Sequence, residues 1–307
     1  MPVTSATAIL PSAHQGAGRG QAAVALAAVA WSTAGVLQRQ LTVGVAAQLA
    51  GRALFAAVAL GLFVAVSERH RVVVACRSIG RAGIGFAVCL AIASGAFMVA
   101  LNYATVAQVL FIQAISPVLA ALLARWLLGE PVSRRSAGAM GLAMVGVGVM
   151  LGAPGGGMLG DGLSVLMALA FALAVVIVRH RRDVSMTPAT CLGQLMLLAV
   201  AAPVALLGSG AGPLNGANLI WLALLGAGQI GAGLVFLTIG ARLIPAAQVA
   251  LISLLEIVLG PLWVWLAVGE RPGATTLIGG AIVVAAVFLQ VGGRAGAAEP
   301  PAPAAVT

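Results

Sequence analysis

One carboxyl stands deep within an apolar stretch of this chain. Glu256 lies inside the run Ala246–Val268, ten residues from one end and twelve from the other. If that run crosses a membrane, a charge at this depth costs roughly 2.5–3.5 kcal/mol on insertion scales. Desolvation favours the neutral form of a carboxyl, so Glu256 has the chemistry to carry a coupling proton or to hold a substrate amine. A permanently protonated carboxyl, hydrogen-bonded to a neighbouring helix, is the plainer role. The sequence leaves both open.

Other polar side chains sit in similar surroundings. Gln113 and Ser116 are one helical turn apart and share a face. Pro117, next in line, removes a backbone donor and frees a carbonyl in the preceding turn. Such a carbonyl is tolerated at membrane depth only against protein or a wet cavity. Gln229 lies within the run Ala217–Ile239, and Trp31 with Ser32 lies mid-run, too deep for an interfacial aromatic belt. Glu256, Gln113, Ser116, Trp31, Ser32 and Gln229 are therefore the candidates for substrate binding or coupling, each against a reading as simple packing. A second set reads as gating or structural: Gln108 and Gln248 near the starts of their runs, Pro117, and Asn102 with Tyr103 at the end of a run. Tyr103 is the chain's one tyrosine and suits an interfacial anchor. Arg52, seven residues into its run, is expected to snorkel to the nearer interface, and Arg125 to the opposite one. Glu130 and Glu270 adjoin basic residues and read as partners in loop salt bridges.

The elements that position these residues follow from composition. The chain is 307 residues long, 62% hydrophobic and 7% charged, which leaves too little polar surface for a soluble domain; the solvent is lipid. Forty glycines suit helices that pack closely in a membrane, and the alternating ten-residue segments of a transmembrane barrel are absent. The +9 net charge comes from Arg alone, placed in short loops, which argues against a nucleic-acid partner. The three Cys and three His show no metal or disulfide spacing, so no metal and no cofactor are expected. Residues 1–20 and 293–307 lack apolar runs and read as disordered tails.

Runs of spanning length fall at about Ala22–Gln38, Val45–Ser67, Ala82–Ala100, Val106–Leu128, Ala137–Ala153, Leu163–Val178, Thr190–Gly208, Ala217–Ile239, Ala246–Val268 and Thr275–Val291. With both termini cytoplasmic, twelve Arg lie inside and only Arg39 and Arg271 outside. The expected fold is an all-α membrane protein of ten transmembrane helices.

The chain also matches itself at an offset of 140 residues. Ala107–Glu130 aligns with Ala247–Glu270 without a gap, and nine of 24 pairs are identical where about three are expected by chance. At the same offset Trp31, Ala34, Val36 and Arg39 pair with Phe171, Ala174, Val176 and Arg179. The units are expected at 21–153 and 160–292. Five helices in each is an odd number, so the second copy enters from the other side. Two inverted repeats of this kind can present one cavity to either side by exchanging conformations.

These residues also carry a family resemblance. Ala100-Leu101-Asn102-Tyr103, the stretch Ser116–Ala124 and Gly129-Glu130 resemble the first-repeat signature of the drug/metabolite transporter superfamily, EamA-like branch. Ala241–Ala247, Leu254-Leu255-Glu256 and Gly269-Glu270-Arg271 resemble its second-repeat signature. Here Ile257 follows Glu256 and the proline comes later, at Pro261. The resemblance implies a ten-helix carrier of small organic metabolites, commonly an exporter, with a central cavity.

Three function classes follow. A secondary transporter of amino-acid-like or drug-like metabolites accounts for both the repeat and the buried carboxyl. A scaffold or receptor requires neither. An intramembrane enzyme needs a nucleophile, base or metal cluster, and the buried inventory of one Glu with scattered Gln, Ser and Thr supplies none. The expected setting is a bacterial inner membrane, the expected partners a small-molecule substrate and the bilayer, and the expected state a monomer or homodimer.

Overall fold

The computed structural model describes residues 13–68, 77, 79–129, 134–150, 157–180, 187–208, 215–241, 243, 249, 252–253 and 255–295. These residues are almost entirely helical. Seven helical stretches are long and apolar enough to cross a membrane: Gly18–Arg39, Val45–Ser67, Gly80–Tyr103, Val106–Leu127, Met158–Val178, Thr187–Leu207 and Gly216–Gly240. Three shorter apolar helices, Ala137–Met150, Leu255–Val268 and Ala274–Ala286, complete the pattern read from sequence.

Several of these stretches are interrupted. The first comprises α1 (Ala13–Ser32) and α2 (Ala34–Arg39), broken at Thr33. Its start lies within the segment 1–20 expected as a tail; the helix runs through Ala13–Gly20, which holds no proline to stop it. Then come α3 (Val45–Glu68) and α4 (Gly80–Tyr103). The fourth stretch is divided into α5 (Val106–Gln113) and α6 (Ser116–Leu128), with a turn at Ala114–Ile115. Pro117 falls in the first turn of α6, where its missing N–H would have had no helical partner anyway. After α7 (Arg134–Met150), α8 (Met158–His180) and α9 (Thr187–Leu207), the eighth stretch runs from α10 (Gly216–Ala223) through a π-helical segment, Leu224–Ala232, into α11 (Gly233–Ala241). The last two helices are α12 (Leu255–Val268) and α13 (Ala274–Ala295), the latter reaching past residue 292.

The packing between the two sequence copies is reciprocal. The third stretch packs on the sixth, and the eighth on the first; the third packs on the seventh, and the eighth on the second. The fourth packs on the sixth, and the ninth on the first, while α3 meets α9 and α7 meets α13 as pairs of equivalent elements. Small residues allow the close approaches. A Cβ on Gly146 would lie 2.8 Å from the Gly279 carbonyl oxygen, and one on Gly279 2.6 Å from that of Gly146, so α7 and α13 meet backbone to backbone. Large apolar side chains point outward along most helices, among them Leu62, Val66, Val200 and Leu207, as a lipid-facing surface requires.

Both Gly-Glu pairs follow a helix end. Gly129 after α6 and Gly269 after α12 adopt left-handed conformations, φ 69° and 75°, which glycine takes without a Cβ clash. The glutamate that follows Gly269 is thereby released from the helix to reach elsewhere.

Candidate functional site

Two buried polar groupings lie inside the bundle. The first gathers where α2, α4 and α12 end and α3, α5 and α8 begin. Arg39 Nη2 lies 2.8 Å from Glu270 Oε2, and Arg39 Nε donates to the same oxygen at 2.9 Å. The other Glu270 oxygen accepts the Val106 backbone N–H at 2.7 Å, placing a carboxylate at the start of α5 where it complements the helix dipole. Arg39 also donates to the carbonyls of Leu101 and, at 3.1 Å, Ala104. The residue thus joins the ends of three helical stretches, and its partner belongs to the other sequence copy. Side-chain exposures of 23% and 20% put this pair below the surface. The expected loop salt bridge of Glu270 is therefore a contact between repeats. Glu130, its equivalent, lies outside the described residues.

An amide triad extends the grouping. Gln38 Nε2 donates to Asn102 Oδ1 at 3.0 Å and to Gln48 Oε1 at 3.3 Å, and Asn102 Nδ2 donates to the same Gln48 oxygen at 3.3 Å. Tyr103, next in sequence, is half exposed, while its carbonyl meets the start of α8 at the Gly157 N–H. On the far side of α5, fully buried Gln108 donates to Asp161 Oδ1 and, at 3.2 Å, to the Met150 carbonyl. Its backbone N–H is taken by Thr105 Oγ1 in the N-cap of α5. Gln248, its repeat equivalent, lies outside the described residues.

The second grouping centres on Arg52, eighth residue of α3 and 2% exposed. Its Nη1 donates to Ser94 Oγ at 2.8 Å, its Nη2 to Gln229 Oε1 at 3.3 Å, and its guanidinium lies 5.8 Å from the centre of the Phe97 ring. Arg52 therefore does not snorkel as the sequence suggested. Ser94 and Phe97 on α4 and Gln229 in the π segment supply polar and aromatic neighbours that make an inward rotamer tenable. Gly226 brings the helices close enough for it: a Cβ there would lie 2.5 Å from the Arg52 carbonyl oxygen and 2.7 Å from the Ala56 nitrogen.

A line of side chains leads on from Gln229. One turn later, Gly233 leaves room for the Trp31 indole, which fills the space a Cβ would need. The neighbouring Ser32 hydroxyl, 1% exposed, donates to the Val29 carbonyl at 2.7 Å and accepts from Trp263 Nε1 at 3.1 Å. Trp263 lies two turns beyond Glu256 on α12, on the same face. Glu256 itself is half-buried in the first turn of the described helix, and no hydrogen bond or ion pair reaches its carboxyl among the described residues. Further on, Pro261 takes away the N–H that would bond the Ile257 carbonyl. Trp31 thus meets the helix of Gln229 at Gly233, and Ser32 meets the helix of Glu256 at Trp263.

Gln113 and Ser116 stand in a different relation. The Ser116 hydroxyl donates to the Gln113 carbonyl at 2.6 Å across the break in the fourth stretch, the Gln113 Oε1 is buried and unpaired, and Pro117 is exposed. Ser116 opens α6 as Glu256 stands in the first turn of α12, matching places in the two copies. Sequence reasoning did not single out Trp263, Ser94, Asp161 or the Arg39–Glu270 pairing. Asp161 was detectable as an acid beside the apolar run Leu163–Val178. Among the described residues no group of three His, Cys, Asp or Glu is placed to hold a metal ion.

Comparisons with known proteins agree with this architecture. The EamA-like transporter family matches residues 18–152 and again 158–292, an offset of 140 residues at both ends. A search of curated proteins finds no match. Among solved structures, one described only as "Crystal structure of protein" superposes with a TM-score of 0.62 at 19% identity, over 89% of this chain and 96% of the other; the likeness is one of fold. Matched twice over nearly its whole length, the chain belongs to the EamA-like transporter family of the drug/metabolite transporter superfamily, a multi-pass membrane protein of a family of transporters.

Proposed function

We propose that this chain is a secondary transporter that exports small organic metabolites by alternating access between two inverted five-helix repeats. It sits in a bacterial inner membrane with both termini cytoplasmic. The observation that carries the reading is the reciprocal packing of the two copies, in which most contacts between different elements of the copies have an exchanged counterpart among the described residues. Two halves related in this way can trade conformations, which moves a shared cavity from one face to the other. In the proposed orientation the Arg39–Glu270 pair lies at the external end, and its bonds to the start of α5 hold that end closed. Release outward requires them to part. Glu256, without a partner among the described residues, is the group available to a substrate amine or a coupling proton.

The test is vesicle uptake by wild type and Glu256→Gln, measured between about pH 5.5 and 8.5. Gln keeps size and hydrogen bonding and cannot ionise. The expected result is loss of most transport with normal membrane insertion, and loss of any pH dependence. Wild-type rates and an unchanged pH profile in Glu256→Gln remove this residue from the mechanism. Absence of uptake for every compound by the wild type favours a receptor instead.

A further inference from the structure

We infer that Arg52, with Gln229 and Ser94, forms a subsite for the carboxylate of the transported compound. The inference rests on the transporter reading above and names the substrate class it leaves open: small organic acids.

Arg52 is the one basic side chain among the described residues of the helical stretches that is almost wholly buried. A guanidinium does not deprotonate in ordinary protein environments, so burial leaves its charge to be answered by something else. Elsewhere in this chain the answer is a carboxylate, as Glu270 answers Arg39. At Arg52 no carboxylate lies within ion-pair distance among the described residues. Its partners are a serine hydroxyl, a backbone carbonyl at 3.4 Å, a glutamine oxygen and an aromatic face, all uncharged. Its Nε–H is buried with no partner. An isolated buried cation with a spare donor is costly to maintain unless something compensates it.

Geometry then favours a ligand. The guanidinium presents a planar fork of donors, and a carboxylate accepts two of them in parallel. The bond to Gln229 is long at 3.3 Å and is held by a neutral amide, so a carboxylate can displace it with a net gain in electrostatic attraction. Gln229 belongs to the π-helical segment, a local irregularity of the kind that often accompanies functional sites. The subsite also lies near another contact between helices: Gln229 stands one turn before the glycine that receives Trp31.

The experiment uses the purified full-length chain and thermal stabilisation by matched pairs of small compounds. Each pair is an amino acid or short organic acid and its methyl ester, so that shape is kept and the negative charge removed. A ligand that binds only the folded protein raises its apparent stability. We expect wild type to be stabilised by acids and not by esters. Arg52→Gln should weaken acid binding by about tenfold to a hundredfold, the loss of one charge-assisted interaction. Arg52→Lys, which keeps charge without the fork, should fall between. Should Arg52→Gln fail to fold, Ser94→Ala and Gln229→Leu leave the charge in place while changing its surroundings, and each should alter the preference for acid over ester. Equal stabilisation by acid and ester, no stabilisation by any acid, or undiminished acid binding by Arg52→Gln overturns the proposal. Vesicle uptake separates this outcome from failure of the transporter reading. Arg52-dependent binding without uptake overturns transport and leaves the subsite; uptake of acids at wild-type rates by Arg52→Gln overturns the subsite and leaves transport.

Discussion

Arg39 and Arg52 lie thirteen residues apart, and their surroundings differ in one respect that governs everything else. Arg39 has a carboxylate. It makes two contacts to one Glu270 oxygen, while the other oxygen holds the start of α5. Arg52 is more deeply buried and has only neutral company. A low-dielectric interior strengthens a satisfied pair and penalises an unsatisfied charge. The first arrangement is complete as it stands and suits a contact that holds two halves together. The second is incomplete, and the proposed carboxylate completes it from outside the chain.

Supplying the missing charge tests the contrast most strongly. In Gln229→Glu the chain would carry its own counter-ion for Arg52, making the second site resemble the first. Binding of organic acids should fall by more than about tenfold, while thermal stability should hold or rise. Thermal shift titration reads both, and unchanged acid binding would show that the two arginines do not differ in the way proposed.

Steric disruption should have the next largest effect. Gly226→Ala places a Cβ against the backbone of α3 at Arg52 and Ala56, which cannot yield without separating the helices. A destabilisation of about 1–3 kcal/mol is expected from overpacking, together with weaker acid binding. Gly162→Ala, where nothing lies within 4 Å, should be close to neutral. Chemical denaturation in detergent measures both, and similar behaviour of the two variants would break the argument for a close approach at Gly226.

The smallest effect is expected at the paired arginine. Glu270→Gln retains hydrogen-bonding atoms and loses only the charge, so the fold should survive with a shift toward states in which that end is open. Labelling of Val106→Cys by a membrane-impermeant maleimide, in a background lacking Cys76, Cys89 and Cys191, should accelerate severalfold, since Val106 is 1% exposed beneath Glu270. Unaltered labelling would assign the pair a role in stability alone.

Much of the fold was legible because lipid is a simple solvent. Apolar runs of sufficient length become helices, and the offset of 140 residues was visible without any structure. The interruptions were harder. Pro117 marked one, but the break at Thr33 and the π segment carry no comparable signature, because both depend on what neighbouring helices offer the backbone. Arg52 was misread for the same reason. Depth along its own helix suggested snorkelling, whereas its rotamer is fixed by Ser94 and Phe97 on one neighbour and Gln229 on another. The Arg39–Glu270 pair spans 231 positions in sequence, and nothing local to either residue announces the other.

The π-helical segment Leu224–Ala232 has a consequence for phase. Its bonds enclose one residue more than those of an α-helix, so the helix that leaves it is rotated relative to the one that entered. Removing a single residue at the start of the segment, with the rest of its geometry kept, would turn one side against the other by about 100°. Gln229 and Gly233 are four residues apart and move together, so such a turn would carry the Arg52 contact and the Trp31 contact away from their partners at once. In this chain the extra residue sets the angle at which both contacts are presented. The length of the segment, more than the identity of any side chain in it, sets whether both neighbours are met at once.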